Sequence, residues 1–132
     1  MALTPEARFS ARVRDGLKAC GCDVERIENR VNLGVSDMVI GVGPLFVTVE
    51  LKVVTRGLQV KLRPHQISFL TRHALKGRPA FVLVKYDAAD EVRLYHGRQA
   101  VELATEGLRL QPIAAWPSRG MAWDKLSEAL SQ

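Results

Sequence analysis

From Leu45 to Val54 apolar and polar positions alternate. The odd residues Leu45, Val47, Val49, Leu51 and Val53 are all apolar, while the even ones include Thr48, Glu50 and Lys52. A period of two is that of a strand, so the pattern predicts Glu50 and Lys52 on one face of it. A shorter apolar run, residues 36–42, carries Asp37 near its start and leads through Gly41-Val42-Gly43-Pro44, a turn sequence, into the longer strand. Two carboxylates and a lysine on short apolar strands call for a shared partner, because unpaired charges on such strands are costly.

The remaining pattern places these strands in an α/β order. Thr4-Pro5-Glu6 is a helix start, with a hydroxyl cap, a proline in the first turn and then an acid. Phe9, Val13 and Leu17 recur at helical spacing, Gly21 can end the helix, and Glu6 falls on the same face as Val13 and Leu17. Residues 22–28 predict a first strand and residues 30–34 a loop. After Thr55-Arg56-Gly57, a polar turn, residues 58–62 read as loop or short strand. Pro64 opens a second helix that runs to about Lys76, with Ile67, Leu70 and Ala74 as its apolar stripe and Gly77 past its end. The continuous run Ala80-Phe81-Val82-Leu83-Val84 suits a central strand buried on both faces. Residues 92–95 predict an edge strand, and residues 121–130 a last helix. The expected result is a mixed sheet flanked by helices in a single domain, residues 1–132.

Composition narrows the partners. The 132 residues are 47% hydrophobic and 25% charged, as in an ordinary globular domain. No apolar run approaches the roughly 20 residues of a membrane span, and no signal-peptide pattern opens the chain, so a cytoplasmic location is expected. The formal net charge is +5, with bases concentrated at Arg8, Arg12, Arg14, Lys18 and from Lys52 to Arg63. That distribution favours a polyanion such as nucleic acid. Cys20 and Cys22 lack metal or redox spacing and read as free thiols, buried or half-buried. The Gly41-Val42-Gly43 pair lacks the third glycine and the following helix of a dinucleotide site.

Asp37 and Glu50, joined by the Leu51 backbone carbonyl, form an oxygen set suited to Mg²⁺, which needs only one or two carboxylates besides substrate phosphate and water. Mn²⁺ would be expected to substitute. Lys52, two residues on and on the same face, is placed to orient or deprotonate an attacking water, or to stabilise charge on phosphorus oxygens.

The same residues carry a family resemblance. Ser36-Asp37 followed thirteen positions later by Glu50-Leu51-Lys52 resembles the signature of the PD-(D/E)XK nuclease superfamily. Gly34-Val35-Ser36-Asp37 and Leu62-Arg63-Pro64-His65-Gln66-Ile67-Ser68-Phe69-Leu70 are similar to the corresponding segments of its VRR-NUC branch. The resemblance covers about residues 4 to 86. It implies a restriction-endonuclease-like αβββαβ core, with Asp37 and Glu50 as metal ligands and Lys52 as the catalytic lysine. Gln66 would hold a water or phosphate near the site, and Glu6 would stand as the helix-1 glutamate. Ser36 replaces the family's proline, a change expected to affect backbone stiffness more than chemistry.

The expected function is that of a Mg²⁺-dependent, structure-selective DNA endonuclease of stand-alone phage or bacterial type, acting as a homodimer on branched DNA such as Holliday junctions. Arg56, Lys61 and Arg63 are the expected backbone contacts, with Arg8 and Arg12 as a further basic row. The alternatives are a restriction- or exonuclease-like member of the same superfamily, or a non-catalytic nucleic-acid-binding module on this fold. Trp116, Met121, Trp123, Leu126 and Leu130 lie beyond the resemblance. They offer either a dimer interface or a helix packed back on the sheet.

Overall fold

The computed structural model describes residues 3–27 and 36–132. Helix α1 (Pro5–Ala19) begins where expected: the Thr4 hydroxyl accepts from the Ala7 N–H at 3.1 Å, with Pro5 in the first turn. It ends in a reciprocal cap, Cys22 N–H to Leu17 C=O and Gly21 N–H to Lys18 C=O. Gly21 holds a φ of +87° there, a conformation that glycine adopts without a Cβ penalty. Next come strands β1 (Asp23–Arg26), β2 (Met38–Val42) and β3 (Leu45–Val54), helix α2 (Pro64–Leu75), and strands β4 (Ala80–Tyr86) and β5 (Glu91–His96). Helix α3 (Ala100–Glu106), strand β6 (Ala114–Pro117) and helix α4 (Trp123–Leu130) complete the chain.

The six strands form one sheet in the order β1-β2-β3-β4-β5-β6. Only β3 and β4 run parallel, joined by the α2 crossover; all other neighbours are antiparallel. Alternation then divides the core in two. Val47, Val49 and Leu51 of β3 and Phe81 and Leu83 of β4 join Phe9, Val13 and Leu17 of α1 and Leu126 and Leu130 of α4. Val82 and Val84 of β4 and Val54 of β3 face Leu70 of α2 and Leu103 of α3. Burial on both faces is what the unbroken apolar run of β4 requires.

Several sequence expectations need correction. The strand over 36–42 starts at Met38, and of the strand over 22–28 the described residues show Asp23–Arg26; residue 28 and the loop over 30–34 lie outside the described residues. Residues 58–62 take irregular backbone, the loop alternative of the two expected. Strand β5 is not an edge, because β6 pairs along it from Glu91↔Pro117 to Leu94↔Ala114. Helix α3 and strand β6 are not among the elements the sequence pattern predicts. Of the two free thiols, Cys22 is buried and Cys20 exposed.

Three of the five C-terminal apolar residues pack back on the sheet. Met121, Leu126 and Leu130 are buried within the chain's own core, and Trp116 and Trp123 pack against it. The Trp123 ring lies so close over Gly16 of α1 that a Cβ there would collide with it. Met121, Leu126 and Leu130 are therefore committed inside the protomer, while Trp116 and Trp123 remain half-buried. Among the described residues no helix is long and apolar enough to cross a membrane.

Candidate active site

Strand register brings the two acids together. Met38 lies opposite Val49 in the antiparallel β2–β3 pair, so one step further places Asp37 opposite Glu50. Asp37 is anchored from both sides: its backbone carbonyl accepts from the Ile27 N–H at 2.9 Å, and its carboxylate accepts from the Leu51 N–H at 2.8 Å. In an extended strand the N–H and C=O of one residue point to the same edge. The Leu51 carbonyl thus faces the edge at which Asp37 sits.

Because the odd residues of β3 face α1, Glu50 and Lys52 face α2. The third helical residue of α2, Gln66, meets both. Its Oε1 accepts from Lys52 Nζ at 3.0 Å and from the Arg63 N–H at 2.9 Å, while its Nε2 donates to Glu50 Oε2 at 3.3 Å. One amide therefore satisfies an orphan N–H at the helix start and bridges the two strand charges.

Glu50 is 2% exposed. Burial, with a hydrogen bond and repulsion from the Asp37 carboxyl beside it, pushes its carboxyl up to about 9 despite the opposing pull of Lys52. An acid pair of this kind, Glu50 buried and Asp37 half-buried, suits a cation, which would replace the proton and remove the repulsion. Asp37, Glu50 and the Leu51 carbonyl are the groups that would hold it. Among the described residues no group of three or more His, Cys, Asp or Glu side chains forms a denser set. For Mg²⁺ that is sufficient, since it retains waters and is completed by substrate phosphate.

These side chains line a cleft of about 900 Å³ that also receives Glu6, Arg56, Lys61 and Arg63. Glu6 is exposed, and its charge adds to the upward pressure on Glu50. It further borders a smaller cavity of about 160 Å³ with Asp37 and Arg26. Arg8 and Arg12 are elsewhere. The Arg8 guanidinium donates to the Leu3 carbonyl at 2.8 Å. That of Arg12 donates to the hydroxyl and carbonyl of Ser118 and lies 5.9 Å from the centroid of the Trp123 ring. Arg12 thus ties α1 to the segment before α4, and the structure does not bring this basic row to the cleft.

Thr55, Gln59 and Ala104 also line the cleft and were not among the site residues expected from the sequence. Ala104 belongs to α3, whose Ala100 and Leu103 spacing was the available signal. Ser36, where the resembled family has proline, is 1% exposed, and among the described residues its hydroxyl has no hydrogen-bond partner.

No protein-family model matches the chain, and no curated protein does. Solved structures do. A Holliday junction resolvase, Hjc, from Archaeoglobus fulgidus superposes with a TM-score of 0.56 at 21% identity, over 70% of this chain and 78% of that one. A VRR_NUC domain superposes with a TM-score of 0.51 at 22% identity, over 78% of this chain and 97% of that one. With its six-stranded mixed sheet flanked by helices and the parallel β3–β4 pair at its centre, the chain has the restriction-endonuclease-like fold it shares with these two structures.

Proposed function

We propose that residues 1–132 form one nuclease domain, a Mg²⁺-dependent, structure-selective DNA endonuclease acting in the cytoplasm on branched DNA such as Holliday junctions, with Mn²⁺ able to substitute. The observation that carries this reading is the convergence of Asp37, Glu50 and Lys52 on one cleft with Arg56, Lys61 and Arg63. Both structural neighbours, one of them a Holliday junction resolvase, support it at the level of fold.

The residues divide the work by their chemistry. When bound by Asp37, Glu50 and the Leu51 carbonyl, a divalent cation supplies charge neutralisation at a phosphate oxygen and a more acidic water. Lys52, steered by Gln66, donates hydrogen bonds toward phosphate oxygens as negative charge grows on them during attack. Hydrolysis forms a bond from water oxygen to phosphorus and breaks the bond from phosphorus to the 3′-oxygen. Arg56, Lys61 and Arg63 hold the flanking phosphates. No Phe, Tyr, Trp or His lines the cleft among the described residues, so stacked bases have no platform there. Contacts to the backbone position a strand without reading its sequence, which suits selection by DNA shape.

One such site cuts one strand, so paired cuts in a symmetric junction require a second copy of this chain. The test is a cleavage panel of duplex, flap, splayed-arm and four-way-junction DNA with Mg²⁺, Mn²⁺ or EDTA. Cutting that needs metal, favours the branched substrates and disappears in Lys52→Ala supports the reading. Salt-dependent binding without cleavage under any metal would leave the binding-module reading instead.

A further inference from the structure

The cations of the cleft stand on residues 55–63, a stretch with neither helix nor strand to hold it. Its footing is apolar and comes from the far side of the sequence. Val60 is 1% exposed, and Leu58 and Leu62 pack with it against the core that contains Leu103 and Leu108. The Leu108 N–H donates to the Leu58 carbonyl at 2.8 Å.

Gly107 makes that approach possible. Its backbone, at φ +61° and ψ −143°, occupies a region essentially open to glycine alone. A Cβ at this position would run into the Leu58 carbonyl and press on Gln59, which lines the cleft. The turn is itself pinned to β5: Arg93 donates to the Leu108 carbonyl at 2.9 Å, and the Tyr95 hydroxyl to the Leu110 carbonyl at 3.0 Å. A continuous path of contacts therefore runs from the buried sheet, through residues 107–110, to the basic stretch at the cleft.

We infer that the Gly107–Leu108 turn is a positioning element for DNA: it fixes where Arg56, Lys61 and Arg63 stand over the cleft while touching no substrate itself. The inference rests on the nucleic-acid reading above. It assigns strand placement in part to a segment outside the stretch that carries the nuclease motifs.

The test compares wild type with Gly107→Ala and with Tyr95→Phe, which loosens the same turn without changing charge. Thermal melts identify the folded variants; should Gly107→Ala not fold, Tyr95→Phe carries the test. Affinity for a fluorescent four-way junction is measured across a salt series, beside steady-state cleavage. Displaced cations should weaken binding about tenfold and flatten the dependence of log affinity on log salt by about one unit. The rate at saturating DNA should stay within about threefold, because uniform binding rather than transition-state contact is lost. Folded variants that bind with the wild-type affinity and salt slope would overturn the inference and leave the nuclease reading standing. A fall in the saturating rate with unchanged affinity would overturn it too. Wild-type protein with no salt-dependent DNA affinity would overturn both.

Discussion

Lys52 Nζ lies 3.0 Å from Gln66 Oε1, so a lysine of the central sheet is aimed by an amide at the start of the crossover helix. The same oxygen accepts the Arg63 N–H, and the amide nitrogen reaches Glu50. Removing one side chain would release a cation, a carboxyl and a helix end together. We expect Gln66→Leu to lower the single-turnover cleavage rate about 10- to 100-fold, the usual cost of losing an orienting partner of metal and catalytic groups. DNA affinity should change little, since Arg56, Lys61 and Arg63 still line the cleft. A single-turnover rate equal to wild type would reduce Gln66 to a helix cap.

Glu50 gives a pH signature to the metal-free protein. Its folded value of about 9 lies above the ordinary 4.5, so the folded state holds a proton that the unfolded chain has released. Stability from this group is complete below pH 4.5 and is lost as pH rises toward 9, at up to about 1.4 kcal/mol per pH unit. His73 and His96 are held below the ordinary 6.5 by burial and do not enter between about pH 7.5 and 9. Urea unfolding in EDTA should therefore show a fall in stability across that interval, and Glu50→Gln should abolish most of it. Cation uptake displaces the same proton, so affinity for Mg²⁺ or Mn²⁺ should rise with pH. A flat stability profile in EDTA would show that Glu50 is already ionised.

The basic residues should separate into two groups. Lys61→Gln and Arg63→Gln each remove a cation that lines the cleft, and should weaken binding to all DNA sequences while flattening the salt slope by about one unit. Arg12→Gln instead breaks the tie to Ser118 and the contact with Trp123. It should cost about 1 kcal/mol of stability and leave the salt slope unchanged. Fluorescence anisotropy over a salt series, paired with urea melts, measures both effects. An Arg12 variant with a reduced salt slope would restore that arginine to the DNA surface.

Among the described residues the buried Ser36 hydroxyl has no hydrogen-bond partner to offset its desolvation. Ser36→Ala deletes that hydroxyl with little change of shape, and should raise stability by about 1 kcal/mol with metal-dependent cleavage intact. Differential scanning calorimetry reads the shift directly. Loss of stability would mean that the hydroxyl is satisfied when the protein is in solution.

The sequence by itself determined the centre of this protein. Alternation along β3 placed Glu50 and Lys52 on one face, because side chains of a strand point by turns to opposite sides. The same rule put Val47, Val49 and Leu51 on the other face, toward α1. Proline and glycine marked the ends of α2, and the family-like helix start singled out Gln66. These are local signals, written within a few residues of the position they describe. Tertiary structure decided the rest. Arg8 and Arg12 look from the sequence like Arg56 and Arg63, but charge alone does not say which surface a helix turns toward the cleft. Leu126 has the character of an interface residue or a core residue equally, and only the docking of α4 on α1 puts it in the core. The tight fit of Gly107 under the Leu58 carbonyl joins residues about fifty positions apart. Periodicity encodes which face a residue occupies; what that face meets depends on the whole chain having closed around it.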